Sequence, residues 1–399
     1  MVVTRFTVFE TRGGAVVDEF EPSSYDWQEQ SNTAETVNMT FVDHVDQWRN
    51  MFTPWKHSIA VEAGGRCLGG PIIPSAFNGD EKHLEVTARG FRHLLDQVYV
   101  LPAAALTREL APGGVPDAAL DTVITGVDRG TIGKRLLLQQ LAWPGWNDIP
   151  IEFHADRPGT RMQTYPAVNR KTIESAFSDL EQQQNGPDIR LRLVRTSPDS
   201  FGWVYESGTE ARPRLQGEVP LTWEPGDTSG FSVDMDPSRM GSVFWSEGGR
   251  SSDETLIRML YDPYLVDRGF PLMHRETDAS STVSNPATLD SWNAESARTA
   301  RRPWEFWKFR VPGDVSPFPY EYHCGDIAEV VLSPVLQMRA GMLSGPGVLS
   351  GPGVLSGPFT EAILPSYLEP KSYRRRIVGI AGSSDSEHIS ITCGEAYDG

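Results

Sequence analysis

Cysteine, long apolar runs and positive charge are all scarce in this chain. Three cysteines, Cys67, Cys324 and Cys393, occur in 399 residues. Their odd number and wide spacing make a poor disulfide framework and suit thiols made in a reducing compartment. No apolar run approaches the ~20 residues that a membrane-spanning helix needs. The opening Met1-Val-Val-Thr-Arg-Phe6 lacks the charged and apolar regions of a signal peptide. The expectation is a soluble product made in the cytoplasm. Asp and Glu number 53 against 36 Lys and Arg, a formal charge of −17. That balance argues against a duplex-binding protein, because phosphate recognition needs clustered Lys and Arg; solubility accounts for the acidity.

What the chain has in plenty is Gly (37) and Pro (30), with a hydrophobic share of 39%. That mix predicts many short strands joined by turns, a β-rich α+β protein of two or three domains. Two segments stand out as ends of one β-rich scaffold. One runs from Trp55 to Ile73, with Ile59 and Val61 leading to Gly64-Gly65 and Leu68 returning. The other is Tyr373 to Gly382 followed by His388 to Cys393. Both read as hairpins.

Residues 1–105 read as a strand meander of about five strands, which suggests a small barrel or a sheet closed on itself. Phe6 and Val8 precede Gly13-Gly14 and Val16-Val17, a hairpin signal. Val37, Met39 and Phe41 alternate with mostly polar neighbours, as do Leu84, Val86 and Ala88. Phe91 to Val98 fits a short helical turn. Residues 106–250 are mixed α+β. A stripe of Ile132, Leu136, Leu137, Gln140 and Leu141 predicts a helix ending before Pro144-Gly145. A second helix, Lys171 to Gln184, carries Ile173, Phe177 and Leu180 and stops at Asn185-Gly186, a left-handed cap. Ile189 to Arg195 alternates as a strand, with Ile189, Leu191 and Leu193 opposite Arg190 and Arg192. Trp203 with Tyr205, Phe231 with Val233, and Val243 with Trp245 mark further strands.

Residues 251–399 return to β. Leu256 to Tyr261 and Pro271 to Arg275 read as strands, Thr277 to Asn285 as a polar loop, and Leu289 to Arg301 as a helix. Trp307, Phe309 and Val311 alternate with Lys308 and Arg310, while Trp304 and Phe306 sit on the other phase, which predicts a bulge. Gly325-Asp326 turns into a strand from Ile327 to Leu332. Between strands of this region, Leu343-Ser-Gly-Pro-Gly-Val348 repeats from Leu349 and begins again at Leu355-Ser-Gly-Pro358. Six residues is too short a period to stack as a solenoid, so 343–358 reads as an expanded Gly-Pro-Gly turn loop at a tolerant tip.

The search for chemistry assigns no catalytic, cofactor-binding or metal residues. None of the eight histidines sits in an HExxH pattern, and no CxxC occurs. His323-Cys324 and His388 with Cys393 offer four ligands only if their strands are neighbours. No GxSxG elbow is present. Gly130-Thr-Ile-Gly-Lys-Arg135 resembles the end of a P-loop but has Arg135 where the metal-binding Ser or Thr belongs, so a helix N-terminus explains it better. Acid pairs such as Asp234 with Asp236 and Glu152 with Asp156 are of the glycosidase type; among 53 acidic residues they arise by chance, and solvated loops are the expectation. The basic run Lys371 to Arg376 leads into a strand, where it reads as edge charge against stray pairing.

Taken together, several segments resemble the minor tail proteins of siphophages that infect actinobacteria, proteins similar in fold to baseplate hub, or tail-associated, proteins. The likeness rests on Trp48 to Gly70, with its Phe52-x-x-Trp55-Lys-His-Ser-Ile-Ala-Val-Glu62 core, and on Leu84-x-Val-x-Ala-x-Gly90. It continues through Asn185-Gly-Pro-Asp-Ile-Arg-Leu-Arg192, Gly269-Phe-Pro-Leu272, Tyr322-x-x-Gly-Asp326 and Tyr373-Arg-x-x-x-Val-Gly-Ile380. The resemblance implies two small β-barrel domains of the baseplate-hub type, with smaller α+β domains between them. The three regions read above, an N-terminal β-barrel domain at 1–105, an α+β middle region at 106–250 and a C-terminal β-rich domain at 251–399, are the expected domains. The resemblance also implies a homotrimeric structural virion protein at the tail tip, a ring joining the tail tube and distal tail protein to the tip. The tape measure protein would end in its lumen, and genomic DNA would pass through without specific binding. The chain ends at Gly399 after its last predicted strand, leaving no room for a peptidoglycan-cleaving domain. No enzyme activity, cofactor or membrane span is expected. A host-glycan-binding module of the tail tip is the alternative, since the chain has 11 Trp; a cell-wall hydrolase ranks last.

Overall fold

The computed structural model describes residues 4–42, 51–63, 66–78, 83–217, 219–223, 228–251, 254–277, 286–319, 321–331 and 372–396. Seven strands come first: β1 (Thr4–Glu10), β2 (Val16–Phe20), β3 (Ser24–Gln30), β4 (Thr36–Val42), β5 (His57–Ala63), β6 (Arg66–Asn78) and β7 (His83–Arg89). Helix α1 (Arg92–Leu95) is a single turn. The middle of the chain holds β8 (Thr122–Val127), α2 (Arg129–Leu141), β9 (Ile151–Phe153), β10 (Arg161–Tyr165), α3 (Ile173–Gln182), β11 (Ile189–Ser197) and β12 (Ser200–Ser207). Then follow β13 (Leu221–Thr222), β14 (Ser229–Asp236), β15 (Val243–Ser251), β16 (Glu254–Tyr261), β17 (His274–Glu276), α4 (Pro286–Thr299), β18 (Trp304–Pro312), β19 (Ile327–Val331), β20 (Ser372–Ser383) and β21 (His388–Glu395).

Thirteen strands join in one sheet, ordered β14-β18-β21-β20-β3-β4-β7-β6-β5-β1-β2, with β19 on β20 and β13 on β19. The two expected hairpins are both in it, β5 with β6 and β20 with β21. Its path over the described residues runs from β14 to β2 without closing. The seam between the two ends of the chain is β3 against β20, in register from Gln30↔Gly379 to Asp26↔Ser383. β6 is long because it serves two partners, pairing β5 up to Pro71 and β7 from Ile72. Gly69 and Gly70, both at positive φ, allow that change of partner: a Cβ there would lie 2.1 Å from the Ile59 carbonyl oxygen and 2.3 Å from that of Arg89.

The alternating residues read from the sequence point inward as strand geometry requires. Val37, Met39 and Phe41 from β4, Val86 and Ala88 from β7, and Trp307, Phe309 and Val311 from β18 fill one core. A second core lies beneath β1, β5 and α1. There Phe9, Ala60, Phe91 and Leu95 meet Ile132 and Leu136 of α2, Phe177 and Leu180 of α3, and the inward faces of β11 and β12. Helices α2 and α3 start on side-chain caps: Asp128 accepts from the Thr131 N–H at 2.7 Å, and Thr172 from the Ser175 N–H at 3.1 Å. Asn185 takes the left-handed conformation beyond α3. A small satellite sheet, β16-β15-β17, packs one face on α4 through Phe244, Leu260, Ala297 and Ala300.

Three expectations change. No bulge separates Trp304 from Trp307: pairing with β14 is regular from Trp304↔Asp236 to Lys308↔Ser232, and the irregularity falls between Ser229 and Ser232. Trp304 and Phe306 take the other face because Arg239 lies over the Trp304 ring at 4.1 Å and the two rings meet edge-on. The strand predicted at Pro271–Arg275 begins only at His274, where it pairs in parallel with β15. On β15, Val243 and Phe244 are buried and Trp245 is exposed. Finally, β20 is not an edge strand: β21 lies along one side, and β19 and β3 along the other. The 343–358 repeat lies outside the described residues, as do Thr277–Asn285 beyond Thr277 and Trp48 to Asn50 of the family-like stretch.

Candidate functional site

Strand β3 reads Ser-Tyr-Asp-Trp-Gln-Glu-Gln, and only Trp27 and Glu29 are buried in it. Strand β11 turns Ile189, Leu191 and Leu193 into the second core, so its alternation lifts Arg190 and Arg192 to the opposite face. Between these strands, β6 and the turn that enters β19, a cavity of about 590 Å³ opens. A second, of about 600 Å³, shares Arg190, Leu215, His323 and Cys324 with it. All three regions of the sequence line this cleft.

Ion pairs dominate its walls. Arg66 pairs with Glu29 in the interior and donates to the Pro319 carbonyl at 3.2 Å, with its guanidinium 5.2 Å from the Trp27 ring centroid. Glu29 also accepts from the Cys324 N–H at 3.2 Å. Burial by itself would raise the Glu29 carboxyl, but Arg66, with help from His323 and Arg190, holds it below the usual range. Asp188, at the start of β11, is the most heavily used acceptor. It takes hydrogen bonds from Asn32 at 3.0 Å, Arg214 at 3.2 Å and the Leu215 N–H at 2.8 Å, and it pairs with Arg376 of β20. Arg190 and Arg192 share Glu206 at 2.7 and 2.9 Å, and Arg195 reaches Glu62 at 2.6 Å. Burial and the neighbouring Arg66 lower the His323 imidazole, which favours its neutral form.

Glu35 is the exception among the acids. Its carboxyl lies against Gly90, where an added Cβ would fall 2.1 Å from Oε2. Burial, with Glu29 adding to it, pushes its pKa up to about 8.

The arrangement is a clasp. Charged residues from the two ends of the chain close on the middle region, and each buried charge is hydrogen-bonded. Catalytic chemistry finds little to use. Burial holds the thiols of Cys67, Cys324 and Cys393 well above their ordinary range, away from the reactive thiolate. All three are unpaired cysteines.

The residues weighed from the sequence fall as follows. His323 and Cys324 line the cleft, whereas His388 is exposed at the start of β21 and Cys393 is buried in the main core. Among the described residues, no group of three or more His, Cys, Asp or Glu is placed to hold a metal ion. Gly130 to Arg135 lies in the first turns of α2, so the P-loop-like run is a helix start. Asp234 and Asp236 are exposed on strand β14, not in a loop, and Asp234 pairs with Lys308 at 2.6 Å. Asp156 bridges Lys134 and Arg135 at 2.7 and 2.8 Å, and Glu152 is an exposed residue of β9. In the basic run, Arg375 pairs with Glu305 at 2.7 Å beside the Trp307 ring, and Arg376 is the buried partner of Asp188. These arginines are structural tethers, not edge guards. The clasp itself was not read from the sequence; the available signal was Tyr25, Trp27 and Glu29 on one phase of β3, with Arg190 and Arg192 opposite an apolar face.

One outer surface is also distinctive. The face of the satellite sheet turned away from α4 carries Ile257, Met259 and Tyr261 in a row, with Trp245 paired to Met259; all four are exposed. The Trp245 indole stacks beside His274 and donates to its Nδ1 at 2.9 Å.

No protein-family model matches the chain, and no curated protein matches it in sequence. Solved structures do. A tail protein from Neisseria meningitidis MC58 superposes with a TM-score of 0.53 at 12% identity, covering 98% of this chain and 96% of that one. The 43 kDa tail protein of prophage MuSo2 from Shewanella oneidensis gives 0.52 at 12% identity, with 98% of each chain covered. The chain therefore has the fold of phage tail proteins, from one end to the other.

Proposed function

We propose that this chain is a structural virion protein of a phage tail, the hub of the tail tip. The observation that carries the reading is the end-to-end likeness in fold to two tail proteins, 98% of the chain in each case. In this reading three copies form a ring that joins the tail tube and distal tail protein to the tip. The tape measure protein ends in its lumen, and DNA passes without specific binding past walls that suit an acidic chain. The kinship with actinobacterial siphophages belongs to the same proposal, as does the division at 1–105, 106–250 and 251–399. So does the curling of the thirteen-stranded sheet into two small barrels, one around β1–β7 and one around β18–β21. The clasp would then hold the parts of each copy in a fixed relation, as a ring under load requires. No catalytic role is assigned.

Light scattering on the purified protein at several concentrations tests the hub reading, together with antibody labelling of intact particles in the electron microscope. The expected results are a species near three times 44.2 kDa and label at the tail tip. Label along the tail shaft, or none on the particle, overturns the reading.

A second reading, contact with host glycans, draws on the exposed Trp245 and Tyr261, since sugar rings stack on aromatic faces. Binding of the isolated protein to cell-wall glycans, lost in Trp245→Ala, separates it from the first.

A further inference from the structure

Two surfaces outside the cleft carry features that the fold of a single copy does not use. The first is the turn that leads into β5. Trp55 stands there at φ 64°, in the left-handed region where a bulky side chain is an outlier. Hydrogen bonds hold it so: the Trp55 N–H donates to the Ile72 carbonyl at 2.8 Å, and the His57 N–H to that of Thr53 at 3.0 Å. Glycine would adopt this conformation freely. The indole is 40% exposed and stacks on His93, with ring centroids 5.9 Å apart and planes 11° from parallel. Strain kept in order to hold out an exposed aromatic points to a role beyond the folded copy. Burial, and then the charge of Arg89, lower the His93 imidazole, so Arg89 lies close to the stack. Asp96 is an acid beside it, 3.8 Å from His93. Lys56 and Arg89 are exposed, and neither enters an ion pair with a described residue.

The second surface is the outer face of the satellite sheet. Ile257, Met259, Tyr261 and Trp245 make its apolar centre. Strand register puts two acids on the same face, Glu247 opposite Ile257 and Glu276 beside Trp245. Both are exposed, and neither enters an ion pair with a described residue. The turn thus presents an aromatic side chain with two cations, and the face an apolar floor with two acids. The two surfaces are complementary in charge, and each supplies the apolar contact that the other lacks.

We propose that the Trp55 turn of one copy seats on the satellite-sheet face of a second copy, with the indole against Met259 and Tyr261 and with Lys56 and Arg89 towards Glu247 and Glu276. The inference rests on the ring reading above and names the surfaces that the ring would use. Each copy offers one surface and receives on another, so the contact is heterologous and repeats from copy to copy until a ring closes. Burial of the indole in that contact offsets the strain of its turn.

Light scattering on full-length variants over a range of concentrations tests the contact. Trp55→Gly relieves the positive φ, so its melting temperature should hold or rise while the dissociation constant of the assembly increases roughly thirtyfold or more. Met259→Glu, at an exposed position of the receiving face, should weaken association to a similar degree. Each variant keeps one good surface, so a one-to-one mixture of the two should give a two-chain species that neither forms alone. A wild-type trimer that both variants leave intact overturns this contact and leaves the ring reading standing. Wild-type protein that is monomeric at every concentration also overturns the contact, and labelling of particles then decides the ring reading by itself. Variants that both lose association but fail to complement in the mixture rule out the head-to-tail arrangement. Met259→Glu that associates normally but no longer binds cell-wall glycans assigns the face to sugars and sinks the proposal.

Discussion

The main sheet and the satellite sheet β16-β15-β17 use the same alternation of side chains and finish the job differently. In the main sheet, the inward residues of β4, β7, β18 and β21 meet one another across a shared core, and Trp307 and Ile391 are 0% and 1% exposed. In the satellite sheet, Phe244 and Leu260 rest on α4, but Ile257, Met259 and Tyr261 look into solvent. One sheet draws its stability from a core that its inward residues share. The other keeps an apolar face in reserve, of the sort that marks a contact surface. A third joint, the cleft, is held by paired charge. Apolar packing is tolerant of small shifts, whereas a buried ion pair demands one geometry, so the cleft fixes orientation while the cores supply cohesion.

Substitutions can break that contrast, in decreasing order of effect. Trp307→Ala removes a fully buried side chain from the main core and should cost about 3–5 kcal/mol, read from denaturant midpoints. A cost below 1 kcal/mol would mean that the sheet collapses around the gap. Asp188→Ala strands the buried Arg376 and should cost about 3 kcal/mol or more. The Asp188→Leu, Arg376→Met double variant should recover part of that loss, because it removes both charges together. Failure to recover would show that the hydrogen bonds of Asp188 to Asn32 and Leu215 matter more than its ion pairs.

Glu35→Gln should act through pH. The wild-type carboxyl is raised from 4.5 to about 8 in the folded state. The unfolded chain therefore loses its proton first, and wild-type stability falls relative to the variant between about pH 4.5 and 8, then levels off. The variant should be the more stable of the two at pH 9; parallel stability curves for the two proteins would refute the shift. The smallest effect belongs to the satellite face. Ile257→Ser with Met259→Ser should change folding stability by no more than about 0.5 kcal/mol while abolishing whatever contact that face makes in a particle. A large loss of stability would instead show that the face is already covered.

Much of the β framework was legible because strands buried on one face announce themselves by period two. β4, β7, β11 and β18 follow their alternation, and α2 and α3 follow their stripes and caps. What escaped is equally physical. β3 has just two buried residues and one of them is Glu29, so a reading tuned to apolar alternation passes over the strand that joins the two halves. The tethering role of Arg375 and Arg376 was hidden for the same reason. Their partners, Glu305 and Asp188, are remote in sequence, and a run of like charge looks solvated until its counter-charges are placed beside it. The exposed face of β16 escaped because Ile257, Met259 and Tyr261 satisfy the same pattern as an inward face.

The β3–β20 seam has a consequence in time. Gln30 leaves the ribosome long before its partner Gly379 is made. Throughout synthesis the flank of β3 that β20 will occupy is a bare edge, and β4 can guard only the other side. The polar letters that concealed β3 from a sequence reading serve it here. Asp26, Gln28 and Gln30 are exposed and give a neighbouring nascent strand little to add to. A strand that must wait for its partner is safest when it is unattractive to every other one, and high contact order makes that wait long.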